Sequence, residues 1–394
     1  MVENIHIIVF TGRHPVLSFF IEQFIKYLNN RYIDYYLVDV DHPESYNCAE
    51  FIEFASRNNT CAFMYNNIGL GMLTSEGDSF WKAHNIPVFD YLVDHPRNFG
   101  DSLRNPICDI YAFALDLDHV DFMKTHFPRL KGAYFSPNGG SEIDHSIPYT
   151  EREIDVIYMG DCNQAPDAFP ALYIDEIDFI DYYHTTIETM LSNPGLSTDE
   201  VIDGYLASKR IELTEVDKYN LICVTSMVIE NSLRHKTKLE GMKTLDNAGV
   251  HVEVYGNGWI DPECPFSDNI VIHNRIDIKE LLNKTANAKI ALCFMPWFKK
   301  GCSEKNFDAM LNGALCVSDA SEYLKINYKD GDNIVYFNLD DPSQMAADIK
   351  WLLANPDIAQ GIAQRGYETC IKYDTWNNRF DFVISKMLDV INQP

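Results

Sequence analysis

Apolar residues arrive in short bursts, separated by stretches where they recur at every third or fourth position. The opening burst, IHIIVF at residues 5–10, gives way to a turn, TGRHP at 11–15, and an amphipathic run, VLSFFIEQFIKYLNN. A short apolar run bounded by turn residues reads as a buried strand, and apolar spacing of three and four reads as one face of a helix. The alternation continues with strand YIDYYLVDVD, helix AEFIEFASRN, strand CAFMYNNIG and strand IPVFDYLVDHP, then CDIYAFALD, helical HVDFMKTHFP and KGAYFSPNGG. Strands separated by helices of this length predict right-handed crossovers and a parallel sheet.

Residues 1–150 are accordingly predicted to form one Rossmann-like domain. DVIYMGD at 155–161 opens a second region, followed by an acidic, aromatic and mostly helical segment, about residues 166–231, broken by NPG at 193–195. This segment reads as a helical insertion. The alternation then resumes through helix LRHKTKLEGMKTLDNAG, strands VHVEVYG and NIVIHNRI, helix IKELLNKTANA, strand KIALCFMP, helix SEKNFDAMLNG, strands ALCVSDA and NIVYFN, and helix PSQMAADIKWLLAN. A second doubly wound domain is predicted over residues 151–375, with the closing helix, 376–394, packing back on the first. The fold class is α/β: two doubly wound units facing a central cleft, with a helical insertion.

Composition narrows the partners. The formal net charge is −26, from 32 basic and 58 acidic residues. Nucleic acids and anionic membranes require a positive face, so both are disfavoured; a small anion held by a few concentrated basic groups is not. The ten cysteines are scattered without a CxxC pair, several inside apolar runs such as IALCFMPW and GALCVSD. That argues against disulfides and zinc and for a reducing, cytoplasmic setting. The apolar run at the N-terminus is too short for a signal segment or a membrane span.

Candidate chemistry concentrates in FMPWFKKGCSEKNFDAMLNGALCVSD, residues 294–319. A strand ends near Met295 and Pro296, Lys299 and Lys300 follow, Gly301 frees the backbone, Ser303 suits an N-cap, and a helix runs to Gly313. A helix start beyond the carboxyl end of such a strand offers amides and a favourable dipole to a diphosphate. Lys299, Lys300 and Lys305 add positive charge, and Asp308 is placed to accept from ribose hydroxyls. An ordinary helix start with solvated lysines fits the same residues.

Upstream, Gly256 and Gly258 in VEVYGNGW allow close backbone approach to a ligand. In the first domain, Asp94 and His95 of FDYLVDHPRN and His14 of TGRHP follow strands, and each is a candidate general base; a structural Asp-His-Pro turn is the plainer reading. VDVD, with Asp39 and Asp41, reads as a strand end rather than a metal motif. No G-x-G-x-x-G follows the first strand and no Walker motif occurs, which disfavours a dinucleotide oxidoreductase and a nucleotide hydrolase.

The stretch from Ser303 through Lys305, Phe307, Asp308 and Gly313 to Asp319 resembles the C-terminal domain of group 1-type glycosyltransferases of the GT-B fold. The likeness is strongest to the branch related to the spore-maturation protein CgeB. The resemblance implies a nucleoside-diphosphate sugar as donor and co-substrate, with no cofactor and no metal. It places Lys305 on the phosphates, Asp308 on the ribose, and Arg234 and Lys238 of LRHKTKLEGMK within reach of the phosphates. It also places Gly256, Gly258 and Trp259 of VEVYGNGW against the donor and turns Asn274 and Arg275 of VIHNRI toward the nucleobase. The turn SPNGG at 136–140 matches a turn between the domains. Lys300 stands where retaining relatives carry the first of two paired glutamates, so the stereochemical outcome is not assigned. The implied reaction is metal-independent transfer to a hydroxyl of a surface glycan or glycoprotein. A nucleotide-sugar epimerase of the same fold, an inert CgeB-like interaction protein and self-association all stay open.

Overall fold

The computed structural model describes residues 5–143, 147–164, 174–260 and 265–392. The chain divides into two compact units, Met1–Gly139 with Asp374–Pro394, and Gly140–Tyr373. The division falls inside the P-N-G-G turn, eleven residues before the predicted 150, and again just before the closing helix, two residues before the predicted 375.

The first unit is built on six parallel strands, β1 (His6–Thr11), β2 (Asp34–Asp39), β3 (Thr60–Tyr65), β4 (Val88–Leu92), β5 (Ile110–Ala114) and β6 (Gly132–Phe135), in the order β2-β1-β3-β4-β5-β6. Every residue of β3 and β4 is buried, which explains why both read as unbroken apolar runs rather than alternating ones. The helix Pro15–Arg31 starts with proline in its first turn, where a missing N–H costs nothing, and stops at Tyr32 in the left-handed region (φ 56°).

The final helix, Trp376–Ile391, belongs to this unit. Its Phe380 ring lies 4.7 Å from Phe24, its Trp376 ring lies 4.8 Å from Phe20, and Tyr27 Oη donates to Asp381 Oδ1 at 2.7 Å. The residues before it do not run into it: the helix Pro356–Tyr373 ends, and Thr375 starts a new one through a reciprocal cap with Asn378. At that break Asp374, fully buried, pairs with the Arg379 guanidinium. Arg379→Met would leave the carboxylate buried without its counter-charge, and is expected to cost about 3–5 kcal/mol of unfolding free energy. Denaturant titration checks this; a loss below about 1 kcal/mol would show the pair to be dispensable.

The second unit repeats the plan with β7 (Ile154–Met159), β8 (Val252–Tyr255), β9 (Ile270–His273), β10 (Ala288–Cys293), β11 (Leu315–Asp319) and β12 (Val335–Phe337), all parallel, in the order β12-β11-β10-β7-β8-β9. Among the described residues, three helices run between β7 and β8, Phe179–Ser192, Thr198–Lys209 and Glu215–Asn247. They pack on one another through buried Tyr182, whose hydroxyl meets Thr225 Oγ1 at 2.9 Å and whose ring meets Tyr205 edge-on. Residues 166–173 of the expected insertion lie outside the described residues. The pattern divided the insertion from the basic helix near residue 231. A single helix of 33 residues spans both, and no proline or glycine interrupts it before Gly241.

Candidate functional site

Chain order reverses in the second sheet between β7 and β10, which pair directly (Val156 with Ile290), while β8–β9 and β11–β12 extend to opposite edges. In open parallel sheets such a reversal leaves a crevice beyond the carboxyl ends of the two strands. Gly160 and Asp161 directly follow β7 at this point.

Basic side chains converge on these two residues. Lys238 Nζ donates to the Asp161 carbonyl at 2.7 Å, and Lys305 Nζ lies against Gly160, where an added β-carbon would come within 3.1 Å of it. The Arg234 guanidinium stacks over the Trp297 ring at 4.2 Å, with Lys238 Nζ 5.4 Å from the same ring centre. Lys238 is only 8% exposed. Burial, followed by the charges of Lys305 and Arg234, pushes its ammonium down to about 7. A depression of that size corresponds to roughly 5 kcal/mol against the charged form. Burial is the larger part of that cost, and the neighbouring charges of Lys305 and Arg234 add to it.

The register explains the glycines. Gly160 continues β7 beside Gly256, which continues β8, and a β-carbon on Gly256 would lie 2.3 Å from the Gly160 carbonyl oxygen. Gly258 sits at φ 80°, in the left-handed region. Trp259 is buried and donates its indole N–H to the Gly160 carbonyl at 2.8 Å, so it shapes the β7 terminus. Asp161 accepts the Asn257 N–H at 2.9 Å through one oxygen and the Arg275 guanidinium through the other. Asn274 and Arg275 are exposed beyond β9.

The lysine cluster expected after β10 is split. Lys299 donates to the carbonyls of Pro296 and Pro194. With Lys300 it helps hold down the Glu200 carboxyl, behind the hydrogen bonds from Ser197. Both lysines therefore face the helical insertion, and only Lys305 joins Lys238 and Arg234. Asp308, expected to face a ribose, is buried and its Oδ1 accepts the Ser141 N–H at 2.7 Å. One side-chain oxygen thereby fastens the strand-free segment after Gly140. Pro296 and Gly301 are buried in the loop after β10, and Ser303 caps the helix Glu304–Leu311 by accepting the Lys305 N–H. Asp319, at the end of β11, accepts the Met295 N–H at 2.6 Å, which fixes where that loop leaves the sheet. Burial raises its carboxyl to about 7.

In the first unit, Asp94 is exposed and its Oδ2 accepts from Asn66 Nδ2 at 2.8 Å. His95 Nδ1 accepts the Arg97 N–H at 3.2 Å, and its ring packs on His119 and Phe122. His14 is exposed at the start of the helix Pro15–Arg31. Asp39 and Asp41 spend their oxygens on backbone: Asp39 Oδ1 accepts the Asp41 N–H, and Asp41 Oδ2 accepts the Arg13 N–H.

Sequence reasoning passed over Asp161 and Trp297. Asp161 carried a signal, a strand-terminal G-D in DVIYMGD. Trp297 sits in a loop whose lysines drew attention away from it, and its partnership with Arg234 spans a sequence separation that no local pattern reports.

Residues 234–385 match the family model described as "Glycosyl transferase-like". The sequence has no match among curated proteins. An α-glucosyltransferase solved with UDP-glucose and DNA containing an abasic site aligns with a TM-score of 0.56 at 10% identity, over 98% of this chain and 99% of that one. Sucrose-phosphate synthase from Thermosynechococcus elongatus aligns with a TM-score of 0.52 at 9% identity, over 98% and 100%. Against TarM the TM-score is 0.49 at 10% identity, over 86% of this chain, and the chain spans 56% of TarM's length. Among the described residues no helix is long and apolar enough to cross a membrane. The chain has the GT-B fold of these solved structures, and its residues 234–385 are similar to a glycosyl transferase-like domain.

Proposed function

We propose that this chain transfers a sugar from a nucleoside-diphosphate sugar to a hydroxyl of a glycan or glycoprotein acceptor, in the cytoplasm and without a resident metal. The observation that carries the reading is the meeting of Arg234, Lys238 and Lys305 at the β7–β10 crevice of a strongly acidic chain. As the acceptor oxygen bonds to the anomeric carbon, the bond from that carbon to the diphosphate breaks and negative charge collects on the departing oxygens. Cations and the amides at the helix start before Lys305 are fixed there in advance, so no solvent need reorganise as the charge develops. In transfer with inversion the acceptor proton passes to a carboxylate, for which Asp94 is the candidate. UDP is the first diphosphate to try, since the α-glucosyltransferase of similar fold was solved with UDP-glucose.

Lys305→Ala tests the diphosphate grip. Removing one charge-assisted contact is worth about 1.5–3 kcal/mol, so UDP affinity is expected to fall roughly 10- to 150-fold while uridine affinity stays unchanged. Calorimetric titration with both ligands reads the difference. Equal loss for UDP and uridine would take Lys305 off the phosphates and leave the reading without its anchor. Donor consumption that depends on an added acceptor completes the case for transfer.

A further inference from the structure

Arg234 and Lys238 stand about one turn apart on the helix Glu215–Asn247, where like charges four residues apart repel. Glu230, a turn before Arg234, offers the guanidinium another resting place. Its Oε2 lies 4.0 Å from Arg234, and its Oε1 accepts from Thr198 Oγ1 of the helical insertion at 3.0 Å. Left to the helix alone, Arg234 would lean back toward Glu230 and away from Lys238.

Trp297 opposes both tendencies. The Arg234 guanidinium lies 4.2 Å from the ring centre and Lys238 Nζ 5.4 Å, so one indole attracts both cations. Indole is the strongest side-chain ring for this contact, which is worth about 2- to 30-fold in an equilibrium, against about twofold for an ion pair four residues apart on a helix. The ring is also held in place, because its loop is anchored on both sides. Before it, Asp319 Oδ1 accepts the Met295 N–H at 2.6 Å, and the Met295 carbonyl accepts the Phe298 N–H at 3.0 Å. After it, the Lys299 carbonyl accepts the Glu322 N–H at 2.9 Å, and the Lys299 ammonium donates to the carbonyls of Pro194 and Pro296.

We propose that Trp297 is a positioning residue for the diphosphate: it stacks on Arg234, keeps that guanidinium beside Lys238 against their repulsion, and presents the two cations as a preset pair. Side chains fixed beforehand lose less freedom when the anion arrives. The inference rests on the transferase reading and adds to it the residue that readies its cations.

Calorimetric titration of the full chain with UDP, pyrophosphate and uridine tests the assignment. Trp297→Leu is expected to weaken UDP and pyrophosphate by about 5- to 30-fold and to leave uridine unchanged. Trp297→Phe, which keeps an aromatic face of lesser strength, should recover part of the loss. In an Arg234→Met background the same Trp297→Leu change should cost no more than about threefold, since of the two cations at the ring only Lys238 is left. Unchanged UDP affinity in Trp297→Leu would overturn the proposal and leave the transferase reading standing. Losses that simply multiply in the double variant, or a Phe variant as weak as the Leu variant, would assign Trp297 to loop shape alone and overturn it too. Wild-type protein that binds pyrophosphate but not UDP would sink the transferase reading, while the same variants decide the role of Trp297 on pyrophosphate. Wild-type protein that binds neither overturns both.

Discussion

Asp94→Asn is expected to lower kcat by about 10²- to 10⁴-fold, the usual worth of a positioned general base, while UDP affinity stays at the wild-type value. Three residues of the first unit compete for the role, and their surroundings separate them. His95 spends Nδ1 as acceptor for the Arg97 N–H and is wedged against His119 and Phe122, so its ring is part of the turn that follows β4. His14 stands at a helix start without a side-chain cap bond to orient it. Asp94 is exposed yet oriented, because Asn66 Nδ2 holds Oδ2, and Asn66 is itself fixed by accepting the Val93 N–H at 2.9 Å. The asparagine variant keeps the shape and an acceptor oxygen but cannot take a proton. The diphosphate grip is built from residues of the second unit alone, so unchanged UDP affinity shows the donor site intact, and an unchanged thermal midpoint shows that the first unit still folds. A variant with full kcat removes Asp94 as the base and points to transfer that needs none.

Two α/β units could be read from the sequence because period and length agree at every step. Buried strands such as IHIIVF and KIALCF, amphipathic helices between them, and a glycine turn at the crossing are all local signals. Placing charge was harder. Lys299 and Lys300 sit six and five residues from Lys305, and composition treats the three as one cluster. The partner that draws Lys299 away, the Pro194 carbonyl, comes from a helical insertion more than a hundred residues upstream. Asp308 lies one turn into the right helix, but which way a helical side chain faces depends on what packs there, and here it is the Ser141 amide. Arg234 and Lys238 are placed near the phosphates only by the resemblance, because a basic helix by itself does not say which of its charges face a site. Trp297 and Asp161 turn that face into a site, and both contacts are long-range. Where the sequence named residue types beside a strand end, the structure keeps them there; where it inferred direction from proximity along the chain, burial and backbone partners decide.

Raising the pH from about 7 to 9 is expected to weaken UDP binding by up to roughly two orders of magnitude, with the slope approaching tenfold per unit. The sign follows from Lys238. In the free protein its ammonium is held near 7, chiefly by burial and then by Lys305 and Arg234, against the opposing pull of Cys162 and Asp161. Below that value Lys238 is already charged and its proton adds no pH dependence. Above it, binding a diphosphate must draw a proton from solution, because the bound anion holds Lys238 charged to higher pH than the free protein does. Phosphate protonation works against binding on the acid side, with a second ionisation near pH 6, so affinity should peak close to neutrality. Lys238→Met should flatten the profile above 7, close to the level wild type reaches at pH 9. Lys305→Ala removes a charge that disfavours the Lys238 ammonium and should move the decline to higher pH. Titrations in two buffers of different ionisation enthalpy measure the proton uptake directly at pH 8. A profile that is flat in the wild-type protein, with no proton taken up, would mean that Lys238 keeps its charge without the anion and that the crevice is not electrostatically primed.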